Sequence, residues 1–207
     1  MPLTARPPTT VVFDVGNVLL RWDPRNLYRK LFDDEQRMEW FLANVCTSDW
    51  NLEQDRGRAW DEAVALLVAR HPDHEPAIRA FHERWHETVS GVFEENVALL
   101  KRLQEAGVPT YCITNFSVPK FREAQARFPF LASFLGTVVS GDERLVKPDP
   151  AIYRLLLDRY GLVAEECVFI DDSPANVAGA RAAGMHAIHY AEPMDLGAEL
   201  GRLGLAV

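Results

Sequence analysis

The stretch Thr9-Thr10-Val11-Val12-Phe13-Asp14 decides the fold, together with its counterpart Cys167-Val168-Phe169-Ile170-Asp171-Asp172. Both are short apolar runs rich in β-branched and aromatic residues, a pattern typical of buried strands. Each run ends in acid residues, and burying an acid is costly unless a partner or a metal stabilises it. In an open parallel α/β sheet, ligands bind at the carboxyl ends of the strands. The two runs therefore predict a metal-assisted site with a carboxylate nucleophile.

Helices and strands alternate in the second half of the chain. Helical segments are predicted at 94–106 and 118–127, and two more begin at Asp149-Pro150 and Ser173-Pro174, where a capping residue precedes proline. Short apolar runs between them predict strands at 108–113, 137–140, 168–170 and 186–190. Strands separated by helices of this length imply parallel crossovers. The fold class is therefore α/β, with a doubly wound, Rossmann-like parallel sheet.

The region between the first strand and residue 90 has a different pattern. From about residue 24, apolar side chains recur at steps of three and four residues, which is typical of helices. This region is also dense in tryptophan and in charged residues. We therefore predict a helical cap domain, residues 21–90, inserted into a discontinuous core domain formed by residues 1–20 and 91–207.

Size and charge restrict the possible partners. The chain has 207 residues, 48% of them hydrophobic, and a formal net charge of −8, which argues against binding to nucleic acid or to an anionic membrane. No apolar run is long enough to span a membrane, and the first residues lack the pattern of a signal peptide. The three cysteines are interpreted as reduced thiols. We therefore expect a cytoplasmic protein, either a monomer or a homodimer.

Three further polar signals fall at strand ends or in nearby turns. Thr114-Asn115 follows a predicted strand, Lys147-Pro-Asp-Pro precedes a helix, and Asn176 follows the acid pair. Together with Asp14-Val-Gly-Asn-Val, these motifs occur in the order that resembles the haloacid-dehalogenase superfamily of hydrolases. The resemblance covers nearly the whole core. It is strongest to the small bacterial sugar-phosphate phosphatases and to the phosphatase domain of soluble epoxide hydrolases.

The resemblance implies a role for each motif. Asp14 would attack phosphorus and form an aspartyl-phosphate, which water then hydrolyses. The implied Mg²⁺ ligands are the Asp14 carboxylate, the Gly16 carbonyl and the acid pair, with Asp172 binding directly and Asp171 through water or from the second shell. Asn176 would orient the acid pair or its loop.

The implied phosphate contacts come from other elements. The Thr114 hydroxyl and the Asn115 backbone N–H would hold phosphate oxygens, and Lys147 would offset the concentrated negative charge. Arg56 is a further candidate for substrate binding, because it lies in a charged stretch, residues 53–57, and arginine suits phosphate or sugar hydroxyl groups. The expected substrate is a small phosphorylated metabolite.

The sequence departs from the family pattern at Gly16. Most phosphatases of the superfamily carry a second aspartate at this position, which protonates the leaving group and later deprotonates water. Its loss would cost roughly 10²–10⁴-fold in rate unless another group replaced it. Glycine here indicates a good leaving group, such as a sugar 1-phosphate or an acyl phosphate, or else a substitute acid. Asp23, His82 and His86 are the candidates for that acid.

Two other functions stay open. Hydrolytic 2-haloacid dehalogenases use the same nucleophile without metal and also lack the second aspartate, but they do not need the acid pair Asp171-Asp172. A non-catalytic protein that keeps only the fold is the other alternative, and the intact Asp14 and Lys147 argue against it. The sequence therefore favours a Mg²⁺-dependent phosphatase.

Overall fold

A five-stranded parallel sheet lies at the centre of the protein, whose residues 7–205 are described by a computed structural model. In chain order the strands are β1 (Thr10–Phe13), β2 (Leu20–Trp22), β3 (Val89–Val92), β4 (Thr110–Thr114), β5 (Gly136–Val139), β6 (Cys167–Asp171) and β7 (His186–His189). The sheet has the order β5-β4-β1-β6-β7, and all its neighbouring strands are parallel. The prediction of a parallel α/β sheet is confirmed.

Helices cover both faces of this sheet. The helices are α1 (Arg25–Tyr28), α2 (Glu35–Asn44), α3 (Ser48–Asp55), α4 (Trp60–Arg70), α5 (Glu75–Glu83), α6 (Glu94–Glu105), α7 (Val118–Arg127), α8 (Ser140–Glu143), α9 (Pro150–Tyr160), α10 (Pro174–Ala182) and α11 (Leu196–Arg202). Successive residues of a strand point to opposite faces. Val11 and Phe13 therefore pack with the apolar side chains of α6 and α11, whereas Val12 packs with those of α9 and α10. The doubly wound arrangement is confirmed.

The signals at the ends of α9 behave as the sequence predicts. Asp149 precedes the helix, and its Oδ1 accepts a hydrogen bond of 2.8 Å from the N–H of Ala151. Gly161 ends the helix in the left-handed conformation, with φ of +63°, which glycine adopts without steric cost.

A small antiparallel ribbon, which the sequence did not reveal, joins the sheet to the inserted region. Strand β2 pairs with β3, with Leu20 opposite Val92 and Trp22 opposite Val89. Each strand has only three or four residues, and the pairing is irregular beside Trp22. Such short strands give no readable alternation of apolar and polar residues. The prediction of purely helical structure up to residue 90 was therefore wrong at β3.

Helices α1–α5, which we call the inserted helices, lie between β2 and β3. They have an aromatic interior in which the rings of Tyr28, Phe41 and Phe81 are in contact. Trp50 and Trp60 meet edge to face at 5.8 Å between ring centres. The side chain of Trp60 also contacts the domain that contains the sheet. Its indole N–H donates a 2.9 Å hydrogen bond to Ser117 Oγ. The inserted helices are thus held against the loop that follows β4.

Cys46, Cys112 and Cys167 are buried free thiols, as the sequence predicts. Within residues 7–205, no helix combines the length and the hydrophobicity that are needed to cross a membrane.

Candidate active site

Three carboxylates converge at the carboxyl edge of the sheet. Asp14 follows β1 directly, Asp171 is the last residue of β6, and Asp172 comes next. Because β1 and β6 are neighbours, with Phe13 opposite Ile170, these acids leave the sheet side by side. One oxygen from each carboxylate lies within 4.8 Å of the other two. The structure therefore brings together the three acids that the sequence singles out.

Lys147 connects two of these acids. Its ammonium nitrogen lies 2.8 Å from Asp14 Oδ1 and 2.6 Å from Asp171 Oδ2, and its side chain is almost completely buried. Asp14 Oδ1 also accepts a 2.7 Å hydrogen bond from the N–H of Val15. These contacts fix the orientation of the Asp14 carboxylate.

The backbone of Lys147 is held in turn by the side chain of Asn115. Asn115 Oδ1 accepts the N–H of Lys147 at 2.8 Å, and Asn115 Nδ2 donates to the carbonyl of Lys147 at 3.0 Å. The sequence predicts a phosphate contact only for the backbone N–H of Asn115. The structure shows that its side chain has a separate task, which is to position the lysine.

Burial and crowding shape the electrostatics of this cluster. Burial raises the pKa of Asp14 to about 8, with Lys147 acting in the opposite direction and Asp171 adding to the rise. The pKa of Asp172 is also raised, by burial and by Asp171. Burial alone would lower the pKa of Lys147, but Asp14 and Asp171 outweigh it and raise that pKa. One ammonium is thus too little positive charge for three carboxylates.

The donor set fits a divalent cation. Carboxylate oxygens are the ligands that hard cations such as Mg²⁺ prefer, and Gly16 lines the same cavity as Asp14 and Asp172. A cation here would supply the positive charge that the cluster lacks. Asp14, Asp171 and Asp172 are therefore residues that could hold a metal.

The two acids of the pair differ in their surroundings. Asp171 is completely buried, and both its oxygens accept hydrogen bonds, from the N–H of Ser173, from Asn176 Nδ2 and from Lys147 Nζ. Asp172 is only partly buried and lines the cavity. Asp172 is thus the more accessible acid for a metal. Asn176 orients Asp171, as the sequence suggests.

One local prediction in this loop was wrong. Ser173 precedes α10, but its hydroxyl makes no capping hydrogen bond to that helix. The N–H of Ser173 instead donates to Asp171 Oδ1 at 2.8 Å. Helix α10 therefore begins after Ser173 without a side-chain cap, and the N–H of Ser173 instead helps to hold the Asp171 carboxylate.

Asp14 and Asp172 lie at the floor of a cavity of about 230 Å³, and Asp171 is buried behind them. Polar groups surround the floor, and much of the remaining wall is apolar or aromatic. The apolar lining residues are Leu20, Trp22, Trp60, Trp85, Val89 and Phe116. The cavity is therefore built by the sheet edge, the ribbon and the inserted helices together.

Two predicted substrate-binding residues do not line this cavity. Thr114 is buried as the last residue of β4, opposite Val139, and the cavity begins with its neighbour Asn115. Arg56 lies on the surface at the end of α3 and binds Glu53 at 2.6 Å. Adjacent helical residues point about 100° apart, so Arg56 turns away when Asp55 faces the cavity.

The three sequence candidates for a substitute acid also lie elsewhere. Asp23 binds Arg25, and its side chain is partly exposed. The ring of His82 stacks on Trp60 at 5.1 Å, and His86 lies 3.6 Å from Glu123. None of the three lines the cavity that contains Asp14.

Asp55 is the acid that the inserted helices contribute to the cavity. Its Oδ2 accepts a 3.2 Å hydrogen bond from Asn51, which also lines the cavity. Burial raises the pKa of Asp55 to about 7, opposed by a hydrogen bond from the N–H of Ser117 and by Lys147. Residues 51 and 55 are one helical turn apart and so share a face of α3. This spacing was the only signal for Asp55 in the sequence. It could not identify Asp55 as a site residue, because it does not show which face of α3 turns toward the cavity.

Comparison with known proteins agrees with this geometry. The haloacid dehalogenase-like hydrolase family matches residues 8–184, which is most of the chain. The chain belongs to this family. The resemblance inferred from the four motifs is confirmed, and the protein is a hydrolase.

Individual relatives of this hydrolase cover nearly its whole length. A sesquiterpene phosphatase from Aspergillus oryzae is 32% identical over 196 residues, 93% of this chain and 94% of that protein. A phosphorylated carbohydrates phosphatase from Thermotoga maritima is 27% identical over 186 residues, 86% and 83% of the two chains. The solved structure of a haloacid dehalogenase family enzyme from Bacteroides thetaiotaomicron, in complex with magnesium and inorganic phosphate, has a TM-score of 0.71 at 20% identity, covering 93% of this chain and 98% of that chain. This structural likeness shows the shared fold.

Proposed function

We propose that this hydrolase is a Mg²⁺-dependent phosphatase of small phosphorylated metabolites that forms an aspartyl-phosphate on Asp14. The observation that carries the proposal is the buried contact of Lys147 with both Asp14 and Asp171 at the floor of the cavity. The names of the two full-length relatives support the same class of reaction.

Asp14 supplies the nucleophile. Its carboxylate attacks phosphorus while the bond between phosphorus and the departing oxygen breaks, and water later cleaves the aspartyl-phosphate. Lys147 holds the attacking carboxylate in place and offsets negative charge that builds up on the phosphoryl oxygens. Asn115 contributes by fixing Lys147 and by offering its backbone N–H to phosphate, and Thr114 supports this loop from the end of β4.

The proposed Mg²⁺ ligands are the Asp14 carboxylate, the Gly16 carbonyl and Asp172, with Asp171 binding through water or from the second shell. When bound, Mg²⁺ would neutralise charge on the phosphoryl group and the acids. The oxygen-only donor set and the raised pKa of Asp172 support this assignment.

The inserted helices are proposed to act as a cap over the site, with residues 21–90 forming the cap and residues 1–20 and 91–207 the core. Closure would exclude water during the chemical step. The hydrogen bond between Trp60 and Ser117, and the 2.5 Å hydrogen bond from Ser140 Oγ to the carbonyl of Asp55, support a closed position.

The lining of the cavity supports a compact organic group with one apolar face. Tryptophan rings suit the C–H face of a sugar or an isoprenoid chain, and asparagine side chains suit hydroxyl groups. Sugar phosphates, with sugar 1-phosphates as the first class, and isoprenyl monophosphates, as the second arm of the test, are the proposed substrates, in line with the names of the two relatives.

The experiment is phosphate release from a panel of phosphate esters, with Mg²⁺ and with a chelator. The panel contains sugar 1-phosphates, sugar 6-phosphates, isoprenyl monophosphates, acetyl phosphate and an aryl phosphate. Asp14→Asn is the blank, and Asp23→Asn is the matched control outside the cavity. The proposal predicts metal-dependent release that only Asp14→Asn abolishes. Halide release from 2-haloacids, with no phosphate release, would establish the dehalogenase alternative, and inactivity in both assays would favour a non-catalytic protein.

A further inference from the structure

The proposed reaction needs a proton donor that the first motif does not provide. Departure of an alkoxide from phosphorus is slow unless a positioned acid protonates the oxygen. Position 16, where most phosphatases of the superfamily carry that acid, is occupied by Gly16. The replacement must reach into the cavity that contains Asp14.

Five titratable side chains line this cavity: Asp14, Asp55, Lys120, Lys147 and Asp172. Asp14 is the nucleophile and Asp172 a proposed metal ligand. Lys147 is bound to two carboxylates, and Lys120 is bound to Glu123 at 2.9 Å and to the carbonyl of His82 at 2.7 Å. Asp55 has none of these tasks.

Contacts on two sides hold Asp55 in its place. Its carboxylate accepts a hydrogen bond from Asn51 Nδ2 and lies near the backbone of Ser117, which acts on its pKa, and its carbonyl accepts a hydrogen bond from Ser140 Oγ. Asn51 belongs to the same helix, whereas Ser117 and Ser140 belong to the sheet side. In this arrangement of the inserted helices, Asp55 is thus placed in the cavity beside the sheet edge.

We propose that Asp55 is the general acid and base of this hydrolase, replacing the aspartate that is missing at position 16. This inference rests on the proposed phosphatase function. The pKa of about 7, caused mainly by burial, keeps much of the carboxyl protonated near neutral pH, as an acid requires.

The proton transfers balance over the two steps. In the first step an Asp14 oxygen bonds to phosphorus, the bond to the leaving oxygen breaks, and the Asp55 proton moves to that oxygen. In the second step water attacks phosphorus, its proton moves to the Asp55 carboxylate, and the bond between Asp14 and phosphorus breaks. Alcohol and phosphate are released, and both aspartates return to their initial states.

The test compares Asp55→Asn with wild type on two substrates. Asparagine keeps the shape and an accepting oxygen but cannot donate a carboxyl proton. An alkyl phosphate needs protonation of its leaving oxygen, whereas a nitroaryl phosphate leaves as a stable phenolate. Asp23→Asn is the matched control, and the melting temperatures establish that each variant folds.

The proposal predicts that Asp55→Asn lowers kcat on the alkyl phosphate by roughly 10²–10⁴-fold. On the nitroaryl phosphate, the variant should release one equivalent of phenolate at the wild-type rate and then stall as an aspartyl-phosphate. An equal loss in the first turnover of both substrates, or no loss on either, would overturn the proposal. Wild-type protein that hydrolyses neither substrate would contradict the proposed function instead.

A second variant uses the space at position 16. A Cβ placed on Gly16 meets no atom within 4 Å, so an aspartate side chain has room to begin there. The double variant Gly16→Asp, Asp55→Asn should recover at least tenfold in kcat on the alkyl phosphate relative to Asp55→Asn. A folded double variant that recovers nothing would count against Asp55 as the replacement acid.

Discussion

The cavity has two parts that are built on different principles. The sheet floor consists of Asp14, Lys147 and Asp171, which are buried and joined by ion pairs. The two acids lie at strand ends, and Lys147 lies in the loop between α8 and α9. The helical wall consists of Asn51, Asp55 and Trp60, which the inserted helices carry. Hydrogen bonds from the Trp60 indole to Ser117 and from Ser140 Oγ to the Asp55 carbonyl join this wall to the core. The comparison teaches that the position of the proposed nucleophile is fixed by the fold, whereas the proposed proton transfer and substrate selection would depend on how the inserted helices close.

The largest expected effect comes from breaking the sheet floor. Lys147→Ala leaves the Asp14 and Asp171 carboxylates buried without their cation, which we expect to lower the free energy of unfolding by about 3–5 kcal/mol and to abolish turnover. Urea denaturation without metal measures the first effect. Lys30→Ala, which removes an exposed ion pair with Glu87, is the control. Similar stability losses in the two variants would contradict the account of the floor.

Removing a proposed metal ligand tests whether the acids at the sheet floor bind Mg²⁺. Mg²⁺ at 100 times its Kd should stabilise the wild-type protein by about 2.7 kcal/mol, because it binds only the folded state. Asp172→Asn should lose most of this gain. Asp149→Asn should keep it, since asparagine also caps a helix well. Thermal unfolding with and without Mg²⁺ measures both, and an undiminished gain in Asp172→Asn would argue that Asp172 is no ligand.

Asp55 in the helical wall should make kcat/KM for an alkyl phosphate depend on pH. The pKa of Asp55 is raised to about 7, so its acid form is present below that pH and is lost as the pH rises through it. With saturating Mg²⁺, which would keep Asp14 ionised, we expect kcat/KM for an alkyl phosphate to fall about tenfold per pH unit above that value. The same descent should be absent for a nitroaryl phosphate. If both substrates follow one profile, the group that titrates is not the acid for the leaving oxygen.

The smallest expected effect concerns closure. Trp60→Phe removes the indole N–H that donates to Ser117, a loss of about 0.5–1.5 kcal/mol in stability. KM should rise, because the inserted helices rest less firmly on the sheet. Trp40→Phe is the matched control, since Trp40 is half exposed on α2 and does not line the cavity. Equal changes in KM for the two variants would show that the Trp60 hydrogen bond does not contribute to closure.

The difference between the sheet floor and the helical wall also decides how much of the site could be predicted from the sequence. The end of a buried strand is visible in the sequence, as an apolar run that stops at an acid. Parallel pairing then brings the ends of neighbouring strands together. The convergence of Asp14, Asp171 and Asp172 follows from these two facts. Lys147 was recognisable from its place in the motif order.

The helical wall could not be predicted in this way. Whether Asp55 or Arg56 faces the cavity depends on how α3 is rotated, and that rotation is set by aromatic packing between distant residues such as Trp50 and Phe81. The ribbon of β2 and β3 is equally hidden, because its strands are too short to show alternation. The search for a substitute acid therefore named Asp23, His82 and His86, which packing places elsewhere.

The most direct test of the central claim is to trap the phosphorylated enzyme. The protein is mixed with Mg²⁺ and a nitroaryl phosphate, quenched in acid within the first turnovers, digested and examined by mass spectrometry, with Asp55→Asn used to prolong the intermediate. The account predicts one phosphoryl group on the peptide that contains Asp14 and none in Asp14→Asn. A phosphoryl group on another residue, or rapid phosphate release with no phosphorylated Asp14 in either protein, would contradict it.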